Sequence, residues 1–223
     1  MTNCVLVVAA HADDEALGCG GTIVRHVSEG DAVYVVFMAD GVSSRLGVES
    51  TALGIRNSAA ESAKEILGVR ENFYLGLPDN RMDKIPLIDV VQQLESIIQR
   101  LKPNIIYTHH YGDLNIDHRI TNQVVLTACR PQPGTSVKEI YAFEVMSSTE
   151  WAQHGKDPFT PNYFVDIGLA LQVKLNALEA YASEMRVPPH SRSIEHLSIL
   201  ARHRGHCVGV SAAEAFVALR VVR

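Results

Sequence analysis

Long apolar runs are missing from this chain of 223 residues. No uninterrupted stretch reaches the roughly 18 residues of a membrane-spanning helix, which argues against membrane insertion. Met1–Ala10 has no basic leader segment and runs straight into His11–Ala12–Asp13–Asp14–Glu15, which is no small-residue cleavage site. The expectation is a mature chain that starts here and stays cytoplasmic. Cysteine is scarce: Cys4, Cys19, Cys129 and Cys207 form no C-x-x-C pair and no zinc-finger spacing, which argues against a disulfide framework. Cys4 and Cys129 sit in apolar patterns and read as buried thiols. A basic excess is also absent. The 20 Lys and Arg face 25 Asp and Glu, a formal net charge of −5, so no basic stripe is present to replace phosphate counterions and no nucleic-acid partner is expected.

Phosphate-binding motifs are missing too. Gly18–Cys19–Gly20–Gly21 resembles the start of G-x-G-x-x-G, but the sixth position is Ile23, and neither a Walker pattern nor a G-x-S-x-G elbow occurs. Asp13–Asp14–Glu15 would stand at the helix start, where a pyrophosphate needs positive potential. The glycines therefore read as close helix–sheet packing. A nucleotide-cofactor oxidoreductase on the same sheet type is the competing reading. Its cheap discriminator is absorbance in the nicotinamide or flavin bands.

What is present is an ordinary globular composition, 47% hydrophobic and 20% charged, with ten histidines that invite metal or proton-transfer chemistry. The length suits one large α/β domain. Asn3–Ala10, Ala32–Ala39, Asn72–Leu75 and Asn104–Thr108 read as buried strands; Val137–Met146, Tyr163–Ile167 and Ala215–Val222 read as later ones. Helices are expected over Asp14–Glu29, Ala52–Leu67 closed by Gly68, Pro86–Leu101, Asp117 to before Pro131, Gly168–Met185 and Ser193–His206. The alternation implies a mostly parallel central sheet with helices on both faces. Pro131–Gly134 is the single candidate boundary, dividing a core of about 1–133 from a strand-and-helix extension of about 134–223.

Ligands of such sheets bind beyond the carboxyl ends of the strands. Those ends deliver His11, Asp13, Asp14 and Glu15; Asp40, Ser43 and Ser44; Asp79 and Asn80; and His109, His110, Asp113, Asn115, Asp117 and His118. Two imidazoles and a carboxylate make a zinc set with a fourth position for water, and a second carboxylate can take that water's proton. The competing readings make Asp14 a helix N-cap, Asp117–His118 the cap of a later helix and Asp79 a turn residue. His26, His154, His190 and His196 read as surface or structural.

His11–Ala12–Asp13–Asp14–Glu15 after a Val-rich first strand resembles the H-P-D-D-E signature of the PIG-L/LmbE-like zinc-dependent deacetylases. Asn115–Ile116–Asp117–His118–Arg119 resembles that family's second signature, often H-P-D-H. Arg56 with Glu61, Leu75–Gly76–Leu77–Pro78–Asp79, Arg204–Gly205 and Ala213–Glu214–Ala215–Phe216 extend the likeness over nearly the whole chain. The resemblance implies a single Rossmann-like three-layer sandwich over 1–223. It implies His11, Asp14 and His118 as zinc ligands, with Fe2+ an alternative for the same donor set. It implies Asp13 as general base, Asp117 as a second-layer or proton-relay carboxylate, and Arg56 and Asp79 on substrate hydroxyls. The implied reaction removes the acetyl group of an N-acetylglucosamine-type sugar or conjugate. The resemblance also leaves a homo-oligomer plausible.

The sequence departs from the pattern at two places. Ala12 replaces the usual proline, which loosens φ but removes no functional group. Asn115 stands where many members have histidine; it can donate to an oxyanion but cannot carry a proton. The acid for the leaving amine is then Asp13 acting twice or an imidazole among His109, His110 and His206, with His110 a further candidate at the substrate. An inactive sugar-binding protein on the same fold is the third reading.

Overall fold

The computed structural model describes residues 2–45, 47, 51–153 and 155–222. His154 therefore lies outside the described residues. The apolar run at the start forms β1 (Cys4–Ala9), and its residues alternate between two cores. Val5, Val7 and Ala9 enter one, Leu6 and Val8 the other. Burial on both faces is what a continuous Val-rich run predicts, because a one-sided strand would alternate with polar residues.

The other elements follow in βα order. They are α1 (Asp14–Ser28), β2 (Ala32–Ala39), α2 (Ala52–Leu67), β3 (Glu71–Leu77), α3 (Leu87–Leu101), β4 (Ile105–His109), α4 (Ile116–Ala128), β5 (Glu139–Phe143), β6 (Tyr163–Asp166), α5 (Leu171–Ala180), α6 (Ile194–His206) and β7 (Ala213–Val221). The seven strands form one sheet in the order β3-β2-β1-β4-β5-β7-β6. The first five are parallel; β7 lies antiparallel between β5 and β6. The sheet thus runs without interruption across the Pro131–Gly134 segment. Helices α1, α2, α5 and α6 pack together on one face, α3 and α4 on the other. Among the described residues no helix is long and apolar enough to cross a membrane.

Three elements differ from the sequence expectation. β3 is longer than Asn72–Leu75, because the exposed Glu71 at its start and Gly76 before its buried end at Leu77 break the apolar signal; Gly76, at φ 66°, sits where its register with β2 shifts. β5 stops at Phe143 rather than Met146, because Val145 N–H turns to Thr149 Oγ1. α5 ends at Ala180 rather than Met185, and the next turn carries Tyr181 and Glu184 inward. Cys129 is buried as expected, but Cys4 is only partly so.

The glycine run does what packing requires. A Cβ on Gly18 would overlap the Phe143 ring, and one on Gly21 would lie 2.8 Å from Ile167. α1 also bends at Cys19, where φ is −146°. Past the bend, Glu214 on β7 accepts from Gly21 N–H at 2.9 Å and Thr22 N–H at 2.7 Å, so it caps the helix's second half. Lys174 lies against the same carboxylate at 2.6 Å and donates to Leu17 O at 2.8 Å.

Candidate active site

The chain leaves β1 and enters α1 through a tight turn. His11 N–H donates to Asp14 Oδ2 at 2.8 Å, and Asp14 N–H returns to His11 O at 3.2 Å. Asp13 between them has φ 136°, a conformation that favours glycine. Its N–H is held by Glu15 Oε2 at 3.0 Å, and Glu15 Oε1 accepts from Tyr181 OH at 2.6 Å. A costly backbone position fixed by buried partners is typical of a functional site. β1 has β2 on one side and β4 on the other, so the strand order reverses here and the loops after β1 and β4 face one crevice.

His11 Nδ1 stands 3.3 Å from Asp14 Oδ2, and His118 Nε2 stands 3.3 Å from the same oxygen. The three side chains can hold one metal ion, all three being buried. Two atoms each 2.0–2.1 Å from a tetrahedral ion are about 3.3 Å apart, so the spacing and the N2O donor set fit a divalent metal. Each imidazole has a carboxylate behind its other nitrogen. His11 Nε2 faces Asp79 at 3.1 Å and Asp117 at 3.2 Å, and His118 Nδ1 faces Asp113 at 3.2 Å. Such carboxylates fix the ring orientation of metal-binding histidines. Asp117 is itself held by Asn80 N–H at 2.7 Å and Met82 N–H at 3.2 Å. Asp113 accepts from the Ser148 hydroxyl and from Thr149 Oγ1 at 2.6 Å.

The charges in this cluster pull hard on one another. Burial pushes His118 down, but Asp14 and Asp113 outweigh it and raise the ring to about 9. His11 is likewise raised, by Asp117, Asp14 and Asp79 against the effect of burial. Burial would raise Asp14, yet His118, His109 and His11 hold it well below the usual carboxylate range. Asp79 is kept near 2 by hydrogen bonds from His11 and Ser44 that overcome its burial. The cluster draws positive charge, whether protons or a cation, and the two compete.

Asp13 sits differently. Arg56 Nη2 reaches its Oδ1 at 3.3 Å, and Arg192 Nη1 reaches its Oδ2 at 3.0 Å. Burial still raises its carboxyl above the ordinary value, with the two guanidinium groups opposing. A buried carboxylate with a raised proton affinity suits a general base. Arg56 also donates to Gly41 O at 3.1 Å and pairs with Glu184 at 3.0 Å, and Glu184 holds Arg45 at 2.8 Å.

One pocket of about 190 Å3 gathers His11, Asp13, Asp14, Arg56, Asp79, Asn115 and His118. Asp117 lies behind His11, fully buried and outside that lining. His110 is not at the pocket: its Nε2 faces Asp157 O at 2.9 Å and its ring meets Phe159. The expectation of His110 at the substrate is corrected by the turn after β4, which sends adjacent side chains in different directions. His109 stacks on His118 at 3.9 Å with Nε2 accepting from Ala10 N–H, and burial holds it well below the usual imidazole value. His206 is exposed at the end of α6. None of the three imidazoles offered as acid lines the pocket. Glu61 faces Lys64, Asn72 and Tyr74 instead. The N-cap of α4 is Asn115, whose Oδ1 accepts from Asp117 N–H at 2.8 Å, so neither Asp117 nor His118 is the cap.

Sequence reasoning missed the roles of Asp113, Glu15, Ser148, Thr149, Arg45, Glu184 and Arg192. Asp113 had a signal, since it stands with the polar residues after β4. Arg192 had none, because it enters from a loop 179 residues beyond Asp13.

A profile described as PIG-L: GlcNAc-PI de-N-acetylase matches residues 6–129. The chain is 30% identical over 185 residues to "Uncharacterized deacetylase YaiS" of Escherichia coli, covering 80% of this chain and 90% of that one. It is 28% identical over 188 residues to "Probable N-acetyl-alpha-D-glucosaminyl L-malate deacetylase 2" of Bacillus cereus, covering 81% and 83%. Among solved structures, N,N'-diacetylchitobiose deacetylase from Pyrococcus horikoshii aligns with TM-score 0.78 at 23% identity, covering 98% of this chain and 84% of that one. GalB, the 4-carboxy-2-hydroxymuconate hydratase of Pseudomonas putida, aligns with TM-score 0.80 at 24% identity, covering 100% and 99%. One fold thus carries a deacetylase and a hydratase, and the site has to decide between chemistries.

Proposed function

The chain belongs to the PIG-L family, and on that premise we propose that it hydrolyses the N-acetyl group of an N-acetylglucosamine-type sugar or sugar conjugate with a bound divalent metal, Zn2+ in the first instance. One observation carries this reading. His11, Asp14 and His118 form a donor set backed by carboxylates, with Asp13 beside it in the same pocket. Two imidazoles and one carboxylate suit Fe2+ as well. When bound, such an ion supplies a Lewis acid for the amide carbonyl and a water that ionises near neutral pH.

The remaining work falls to the chain's own groups. Asp13 takes the water's proton at a carboxylate oxygen and returns it to the leaving amine nitrogen. Its raised proton affinity supports both halves of that role. Arg56 and Arg192 hold one carboxylate oxygen each and so keep it from swinging toward Asp14. Asn115 spends its carbonyl oxygen on Asp117 N–H, which leaves its NH2 as the donor toward an oxyanion in the pocket. Asp117 and Asp113 act through the histidines they orient. Arg56 and Asp79 line the same pocket, which supports assigning them to substrate hydroxyls.

The test is acetate release from a panel of N-acetyl sugars and conjugates, with and without a chelator, beside elemental analysis of the protein. Wild type should release acetate, lose activity on chelation and recover with Zn2+ or Fe2+. His118→Ala should lose bound metal and activity together. Binding of an N-acetyl sugar with metal present and no acetate released would instead make this an inactive sugar-binding protein.

A further inference from the structure

Asp13 is gripped at its backbone as well as at its carboxylate, and both grips lead to one turn. Glu15 Oε2 accepts from Asp13 N–H at 3.0 Å, and the other oxygen of that carboxylate accepts from Tyr181 OH at 2.6 Å. Arg56 Nη2 lies 3.3 Å from Asp13 Oδ1, and Arg56 Nη1 lies 3.0 Å from Glu184 Oε1. Tyr181 and Glu184 both belong to the turn after α5, which closes where Glu184 N–H donates to Tyr181 O at 2.8 Å. In the chain, Tyr181 stands 166 residues beyond Glu15.

Packing alone gives no reason for the Tyr181 hydroxyl. Its ring is fully buried in the core on the α1 face, space that a phenylalanine would fill as well. Burying a hydroxyl costs free energy that a hydrogen bond offsets, and the partner here is Glu15. The need for a grip lies in the backbone of Asp13. At φ 136° the residue stands in a conformation its own sterics do not favour. The φ bond has the N–H at one end and the side chain at the other. Whatever holds the N–H therefore sets the direction in which the carboxylate leaves the chain. A reacting group displaced by about 1 Å can lose about 10^2-fold in rate.

We propose that Tyr181 is a positioning residue, which aims the Asp13 carboxylate by fixing the Asp13 backbone through Glu15. This rests on the deacetylase reading above, in which Asp13 is the base. Tyr181 touches neither metal ligand nor pocket, since it is absent from the lining that holds Asp13. Its influence runs through two hydrogen bonds, and each can be removed or kept by a single change. Tyr181→Phe deletes the hydroxyl and keeps the ring. Glu15→Leu deletes both bonds. Glu15→Gln keeps both, because its carbonyl oxygen can accept from Asp13 N–H while its NH2 donates to the Tyr181 oxygen.

The experiment measures kcat and KM for acetate release by the metal-loaded full chain and these variants, with bound metal and melting temperature recorded for each. Tyr181→Phe should lower kcat about 10-fold while KM stays within about 2-fold of wild type. Glu15→Leu should lower kcat at least as far, and Glu15→Gln should recover most of that loss. In an Asp13→Asn background Tyr181→Phe should cost no further kcat, because the base it aims is already gone. A purely structural lesion would lower both backgrounds alike, and that result overturns the proposal. So does a Tyr181→Phe kcat within about 2-fold of wild type, or a loss confined to KM. If no substrate is deacetylated, the activity reading fails, and hydrogen exchange at the Asp13 amide of the isotope-labelled chain still decides the positioning. Tyr181→Phe should speed that exchange about 10-fold without changing the amides of β1, and an unchanged rate overturns it.

Discussion

Helix α1 carries a buried charged network at each half, and the two are built on opposite principles. Under the second half, Glu214 and Lys174 form a closed pair. One carboxylate accepts from Gly21 N–H, Thr22 N–H, Thr22 Oγ1 and Lys174 Nζ, while the ammonium also reaches Leu17 O. Charge cancels and the lone pairs are used. At the first half, Asp14, Asp79, Asp113 and Asp117 surround two imidazoles, so negative charge is in excess even with both rings protonated. A saturated buried network holds a fold together, whereas an unbalanced one holds a place for a missing charge. Burial alone does not separate them, since both are hidden from solvent.

Substitutions at each half should break this contrast in different observables. The largest effect belongs to the open half. Asp13→Asn should lower kcat by about 10^2–10^4-fold, because the isostere keeps the shape and loses the base. Bound metal by elemental analysis should stay near the wild-type level, and near-normal turnover would refute the base assignment.

Lys174→Met tests the closed half. It leaves Glu214 buried without its counter-ion and should cost about 3–5 kcal/mol in urea unfolding. Metal content of the folded fraction should not change, and a loss below about 1 kcal/mol would remove the contrast.

Glu15, in the first turn of α1 beside the open network, sharpens the comparison through pH. Burial raises its carboxyl to about 7, against the hydrogen bond from Tyr181. A carboxyl whose folded value is raised binds its proton more tightly in the native state. Its contribution is complete below the unfolded value near 4.5 and is lost as pH rises through 7. Glu15→Gln, which mimics the protonated form, should therefore flatten the stability profile between those pH values by roughly 3 kcal/mol or less. Parallel profiles for the two proteins would contradict this.

The smallest effect is expected at Asn115. Asn115→Ala removes the N-cap of α4 and should cost about 1 kcal/mol of stability. Asn115→Asp restores the cap but not the donor. Recovery of stability without recovery of kcat would separate its two roles.

Much of the fold was legible because it rests on local pattern. β2 reads to the residue as Ala32–Ala39, an apolar run between Asp31 and Asp40; α2 reads as Ala52–Leu67 because Gly68, at φ 77°, stops it. The pocket's inner members were legible for the same reason: His11, Asp13 and Asp14 follow one strand and Asn115 and His118 another. Where the chain turns to serve the site, local pattern fails. The turns Met82–Lys84 and Thr149–Trp151 hold Asp117 and Asp113, yet neither has a periodic signature. The direction of His110 was hidden too, because periodicity says nothing about a side chain in an irregular loop.

The backbone of Asp13 has an engineering consequence. At φ 136° the position favours glycine, and holding another residue there costs of order 1–3 kcal/mol. A glycine there would relieve that cost but would leave the buried Arg56 and its neighbour Arg192 without the carboxylate between them, and on the proposed mechanism it would also remove the base. Strain and ion pairing thus oppose each other at this one residue, so a stability screen alone reports their difference, and directed evolution of this protein has to select for turnover as well.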